Sequence, residues 1–505
     1  MKEYLLSIDI GTSACKVVIF GTNGVVMGSS SKPYKVYYPQ AGYVEQNPEE
    51  WFEAVCGAIK ECFMTSGVEA MDIAGIGVDG QSWSAIALDK SGQVICNTPI
   101  WMDTRASKIC DRLNQEIGRD NIFELCGNQL QPSYTTPKII WYQEHMPSEY
   151  KRIDKILQSN SYIVYRLTDN ITQDVSQGYG LHCFDMHTGA WDKSMCKDFG
   201  LSETLFPEIF PCHQVIGTVT KKAAALTGLV EGTPVVAGGL DAACGTLGVG
   251  VLSNGQTQEQ GGSAGGMSIC TKEYLAHESL ILSYHVVPGK WLLQGGTVGG
   301  GGVMKWFEEQ FADYERVMSI ELGISSFDQL NEIAGKVPPG SDQLIFLPYM
   351  AGERSPIWDV NAKGVYYGLD FAKTKGHMVR AAMEGVAFSL KHNLDTAREA
   401  GAIVTELFAM GGAANSYLWT QIKADVTRTK IRVPASDTAT ALGAAILAGV
   451  GVGIYNSFEE AVEKTISVKR EHVPDKMNFD LYNTNYQIYL DIYKNLKDTM
   501  KQYGR

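Results

Sequence analysis

Residues Ile8-Asp9-Ile10-Gly11-Thr12-Ser13-Ala14-Cys15-Lys16 place an acid, a glycine turn, two hydroxyls and a lysine at the end of an apolar strand, Tyr4 to Ile10. A second apolar strand, Val17 to Phe20, follows and leads into Thr22-Asn23-Gly24, a hairpin-turn signal. On such a turn, backbone N–H groups and the hydroxyls of Thr12 and Ser13 can wrap phosphate oxygens, and Lys16 can offset their charge. Asp9, at the strand tip, is placed to hold Mg2+ through water, because that ion takes few carboxylates and several waters. A P-loop runs into a helix, whereas this turn joins two antiparallel strands.

Three further glycine-dense tracts carry polar side chains. Val235 to Gly245 contains Asp241 among small residues after a buried-strand pattern. Gln260-Gly261-Gly262-Ser263-Ala264-Gly265-Gly266 repeats the opening arrangement of strand, Gly/Ser turn and strand, and Gly295 to Gly302 follows it. Two hairpins of phosphate type, one per half, suggest a duplicated α/β unit with a nucleotide cleft between the copies. The boundary is placed near residue 250, giving domains 1–250 and 251–505. Gly411-Gly412-Ala413-Ala414-Asn415-Ser416 lies between an apolar run, Glu406 to Met410, and a helical stretch, Trp419 to Val426. Glycines there let the backbone approach a flat ligand such as adenine or its ribose, and Asn415 offers both a donor and an acceptor.

The elements that must position these groups follow from pattern. Asn47 reads as the N-cap of a helix that starts at Pro48, runs to about Phe63, and carries apolar residues at Trp51, Phe52, Val55 and Ile59. Ile73 to Val78 reads as a strand ending at Asp79-Gly80-Gln81-Ser82-Trp83, and Ser84 to Leu88 as another. Strand, helix and strand in this order predict an α/β sheet covered by helices. The Gly- and Ala-rich segment Ala439 to Gly453 reads as a buried helix rather than a membrane span. At 505 residues, two domains are expected. A net charge of −13 argues against nucleic acid as the main partner, while a few local N–H groups and one lysine suffice for ATP. The eleven cysteines form no Cys-x-x-Cys pair or ordered ligand set, and they read as reduced thiols of a cytoplasmic protein. The opening Met1-Lys2-Glu3 and the short strand after it predict neither a signal nor a transit peptide.

Two stretches carry a resemblance. One is Ser133-Tyr134-Thr135-Thr136-Pro137-Lys138-Ile139-Ile140-Trp141. The other is Gly364-Val365-Tyr366-Tyr367-Gly368-Leu369 with His377-Met378-Val379-Arg380-Ala381-Ala382-Met383-Glu384. With Leu347 to Pro356 and Gly411 to Asp425, they resemble the FGGY family of carbohydrate kinases, from Asp9 to about Gly449. The resemblance implies an α/β fold of two ribonuclease H-like (actin/hexokinase-type ATPase) domains flanking a central nucleotide and sugar cleft. It implies ATP and Mg2+, with a small-molecule sugar or polyol as acceptor; a homodimer is left open. By family position Asp241 is the general base, with Asp9 the Mg2+ contact and Asp241 a second one. Thr12, Ser13, Lys16, Gly262 and Ser263 would face the phosphates. Gly300, Gly301, Gly411, Gly412 and Asn415 would surround the adenosine, and Gln81, Ser82, Trp83, Asp103 and Arg105, with Asp241, the sugar. Many relatives carry Gly-Thr-Ser-Gly where this chain has Gly261-Gly262-Ser263-Ala264, so a hydroxyl is missing at Gly262.

The acceptor expected first is a ketopentose such as xylulose, although xylulose kinases typically show Gln-Met-His where this chain has Gln81-Ser82-Trp83. Glycerol kinases usually carry Arg-Glu near Ser82-Trp83 and Gln after the base, where Ala242 stands here. Gluconate and other polyol kinases remain open. A nucleotide-gated binding protein of the same superfold would keep both phosphate hairpins without the set Asp103, Arg105 and Asp241.

Overall fold

The computed structural model describes residues 3–503. Its frame is a pair of seven-stranded mixed sheets, one from each half of the chain. In the first, Tyr4–Ile10 runs antiparallel to Ala14–Gly21, which pairs in turn with Val26–Pro33. On its other side Tyr4–Ile10 lies parallel to Ile73–Gly80; Pro234–Val236 and then the antiparallel Val215–Thr218 complete the row. In the second, Gln256–Gly261 runs antiparallel to Gly265–Thr271, which pairs with Trp291–Thr297. Its other side is parallel to Glu406–Met410, followed by Ile431–Pro434 and an antiparallel Val468–His472. The order of pairing is the same in both, so the duplication expected from the glycine hairpins is one of topology. Each copy opens with a hairpin whose first strand also has a parallel neighbour.

Tyr4–Ile10 and Ile73–Gly80 are buried over nearly their whole length, as expected for strands covered on both faces. The helix Pro48–Ser66 lies on the same sheet, over Ala14–Gly21 and Val26–Pro33. It starts where expected, with the Asn47 side chain accepting from Glu49 N–H at 3.0 Å, and runs one turn further before Gly67 ends it at φ 69°. The strand expected at Ser84 to Leu88 is instead Ile86–Asp89. Ser84 and Ala85 give their backbone groups to side chains: Thr135 and Tyr142 hydroxyls donate to their carbonyls, and Ala85 N–H donates to Thr98 Oγ1. No ladder bonds are left for them.

The halves are joined through backbone contact. The helix Ala439–Gly451, from the second half, lies on the first half's sheet and against the helix Asp241–Gly248. A Cβ at Gly77 would stand 1.9 Å from the Ala444 carbonyl oxygen, and one at Gly443 would stand 1.9 Å from that of Cys244. Hydrogen there lets helix meet strand and helix meet helix at main-chain distance. The Ala439–Gly451 helix is buried along most of its length, as its composition predicts. Among the described residues no helix is long and apolar enough to cross a membrane.

Candidate active site

Three parallel strand ends place three carboxyls together. Asp9 is in register with Asp79 of the neighbouring strand, and Asp79 is in register with Gly239 of the short strand Gly239–Leu240. Asp241 follows at once, as the first residue of its helix, with Oδ1 accepting from Ala242 N–H at 2.6 Å. Burial, with the charge of Asp9 beside it, pushes the Asp241 carboxyl up to about 7. Burial also raises Asp9, against the lowering effect of a bond to Asp79 and of Lys16, its register partner across the hairpin. Asp79 is fully buried and both its oxygens lack a partner other than these acids; burial, then Asp9 and Asp241, hold its carboxyl well above the usual range. Sequence reasoning noticed Asp79 only as the end of a strand. The available signal was an acid at the tip of a buried strand, the same position that Asp9 holds in its own.

The first hairpin is braced from below. Trp101 Nε1 donates to Thr12 Oγ1 at 3.0 Å, Gln46 Nε2 to the Thr12 carbonyl at 2.7 Å, and the Tyr34 hydroxyl to the Gly11 carbonyl. Gln81 is buried and donates to Gln46 Oε1 at 2.8 Å, so it links the segment Gln81 to Trp83 to the turn at Thr12. Ser13 remains exposed at the tip.

Ser82 accepts from the Tyr179 hydroxyl at 3.1 Å. Trp83 is held at φ 62°, a region costly for a bulky side chain, with its ring edge-on to Tyr134 (4.4 Å) and Tyr179 (5.6 Å). Lys138 fixes its carbonyl, donating to Trp83 O and Ile100 O, each at 2.8 Å. Asp103 and Arg105 make no hydrogen bond to Ser82 or Trp83. Asp103 is fully buried and takes the Val44 N–H, the Arg105 N–H and the Arg105 guanidinium. That guanidinium also donates to Glu45 and lies between the rings of Tyr43 and Trp141. Both Asp103 oxygens and the Nε and Nη2 groups of Arg105 are thus engaged by protein, which holds the pair in a fixed orientation.

The second hairpin stands against the other glycine tracts. Gly261 pairs with Gly265, and Gly301 and Gly302 N–H groups donate to the carbonyls of Gly262 and Ser263 at 2.7 and 2.9 Å. Gly411, at φ 85°, brings its Cα so near Gly261 that a Cβ would lie 2.7 Å from the Gly261 carbonyl oxygen. These contacts frame a cavity of about 510 Å³ whose walls include Gly262, Ser263, Gly301, Gly412, Asn415 and Trp419. A strip of bare backbone with an amide at its edge and Met304, Phe327 and Met383 around it fits a purine nucleoside. Gly300 abuts Ala264 behind the hairpin, and Gly411 supports the wall from outside.

Among the described residues no three Asp, Glu, His or Cys side chains form a complete metal cage. Mg2+ binds through one or two carboxylates, waters and substrate phosphates, and Asp9 and Asp241, close enough for the charge of one to act on the other, could supply such carboxylates.

Comparison with known proteins identifies the family and the fold. Residues 4–248 match the N-terminal domain, and residues 261–452 the C-terminal domain, of the FGGY family of carbohydrate kinases. The chain is 33% identical to the xylulose kinase of Bacillus subtilis over 498 residues, 98% of each protein. It is 29% identical to the gluconokinase of Bacillus licheniformis over 504 residues, 99% of this chain and 98% of that one. The crystal structure of xylulose kinase from Rhodospirillum rubrum superimposes with a TM-score of 0.90 at 26% identity, covering 99% of this chain and all of that one.

Proposed function

This chain belongs to the FGGY family of carbohydrate kinases, ATP-dependent enzymes that phosphorylate a sugar hydroxyl, and from that premise we propose that its acceptor is a ketopentose such as xylulose. The observation that carries the reading is the Asp241 carboxyl lying beside Asp9 at the phosphate turn, next to the segment Gln81 to Trp83. The protein would work in the cytoplasm, which the free state of all eleven cysteines favours.

In this reading the two hairpins hold the triphosphate. Backbone N–H groups and the hydroxyls of Thr12, Ser13 and Ser263 face its oxygens, and Lys16 offsets their charge. Adenosine occupies the cavity walled by Gly412 and Asn415. The acceptor hydroxyl sits within hydrogen-bond reach of Asp241, which takes its proton as the oxygen bonds to the γ-phosphorus and the bond to the ADP oxygen breaks. Mg2+, held by Asp9 and Asp241 through water, would neutralise phosphate charge. A carboxyl near 7 in the free protein is well placed to accept a proton at neutral pH.

A coupled ADP-release assay over pentuloses, polyols and aldonates tests this. Strong stimulation by one pentulose, lost in Asp241→Ala, is the expected result. Turnover indifferent to sugar and surviving that substitution would instead point to a nucleotide-gated binding protein. Preference for gluconate would move the acceptor to the class named by the 29% identical relative.

A further inference from the structure

One turn, Val175–Gly180, runs between the acceptor segment and the base, and the reaction described above leaves it without a part. Its anchor is Asp174, fully buried, whose Oδ1 accepts from the Ser176 hydroxyl (2.5 Å) and the Gln177 N–H (3.1 Å). The other oxygen accepts from Asn160 Nδ2 at 2.8 Å. From this anchor the side chains reach in two directions. Ser176 Oγ accepts the N–H of Leu240, the residue before Asp241, at 2.9 Å. Gln177 Nε2 donates to the Gly80 carbonyl at 3.1 Å, and the Tyr179 hydroxyl donates to Ser82 Oγ at 3.1 Å. The bond to Asp174 spends the Ser176 proton, so its lone pairs are the part left for Leu240.

We propose that this turn is a cross-brace in which Ser176 and Tyr179 are positioning residues: Ser176 sets Asp241 against the acceptor hydroxyl through Leu240, and Tyr179 orients Ser82 on the acceptor. The inference rests on the reading of Asp241 as base and of Gln81 to Trp83 as the acceptor segment. In-line transfer is sensitive to displacements of about 1 Å, which a freed strand end ahead of the base would allow. A hydroxyl that loses its donor rotates freely and presents the acceptor with a disordered partner.

Steady-state kinetics with the preferred acceptor separate the two arms. Ser176→Ala is expected to lower kcat about ten- to hundred-fold with KM for sugar and ATP nearly unchanged, and Ser176→Thr, which keeps the hydroxyl, to recover most of it. Tyr179→Phe is expected to raise the sugar KM about ten-fold while the ATP KM and kcat stay near wild type. Wild-type kcat in Ser176→Ala, or an unchanged sugar KM in Tyr179→Phe, overturns the brace while leaving the kinase reading intact. A wild-type protein inactive on the whole panel overturns both. Should Ser176→Ala fail to fold, Ser176→Cys, close in volume and a weak acceptor for the Leu240 N–H, reads the same arm, and a wild-type kcat there overturns it.

Discussion

At Thr12 the hydroxyl proposed to face phosphate is itself held by an indole: Trp101 Nε1 donates to it, leaving its proton free to point at an anion. Trp101→Phe keeps the ring and removes that donor. The expected result is an ATP KM raised about five-fold with the sugar KM unchanged, read by initial rates. A shift in the sugar term alone would show that the contact serves the acceptor. Two buried histidines give the fold a pH dependence. His285 is a neutral tautomer by geometry, Nε2–H donating to Val251 O and Nδ1 accepting from Val287 N–H; Lys290 is the nearby charge. Burial pushes His285 and the equally buried His182 down to about 4. Unfolded, each titrates near 6.5, so the unfolded chain binds protons that the native one refuses between these values. The histidines' own contribution is therefore complete above about pH 6.5 and lost as pH falls toward 4, by about 3 kcal/mol for each, while the carboxyls of Asp241 and Glu353, which burial pushes up to about 7, contribute in the opposite sense. Thermal unfolding from pH 7.5 to 4.5 measures it, and His182→Phe should flatten the curve. An equal slope in that variant would remove His182 from the pH dependence and leave it to His285.

At the scale of elements, what the sequence made legible was whatever local chemistry dictates. Asn47 and Pro48 fix a helix start by capping, and the run Tyr4 to Ile10 can only be a strand ending in a turn. Glycines marked the second hairpin and the Gly411 turn because backbone must meet backbone there. Long-range partners were not legible. Asp103 and Arg105 read in the chain only as an acid and a base two residues apart, and only the fold brings Val44, Glu45, Tyr43 and Trp141 against them. Asp79 and Tyr179 likewise gain meaning only when strands and turn are stacked. The same holds for Gly77, whose neighbour in space is Ala444. Gly77→Ala would force the Ala439–Gly451 helix off the sheet, at an expected cost of about 3 kcal/mol. A melting temperature within one or two degrees of wild type would mean the helix can shift at little cost, and the contact would not be the tight joint described.

For the molecule as a whole, the two sheets each bring one glycine hairpin proposed to hold phosphate, while the proposed base and acceptor segment belong entirely to the first. A nucleotide seated against Gly412 and Asn415 in the second half must deliver its γ-phosphorus to Asp241 in the first. An exposed terminal phosphoryl would meet water at far higher concentration than sugar, so productive transfer requires the cleft to shut around both ligands. The joint between halves limits how it can shut. Where Gly443 meets Cys244 and Gly77 meets Ala444 the backbones touch, which leaves little room for sliding and favours rotation about that joint. Sugar together with a non-hydrolysable ATP analogue is therefore expected to reduce the radius of gyration in small-angle scattering, and either ligand alone to reduce it less. Superimposable profiles with and without both ligands would remove closure from the mechanism, and water exclusion would then have to come from side chains already in place, chiefly the Trp83, Tyr134 and Tyr179 cluster.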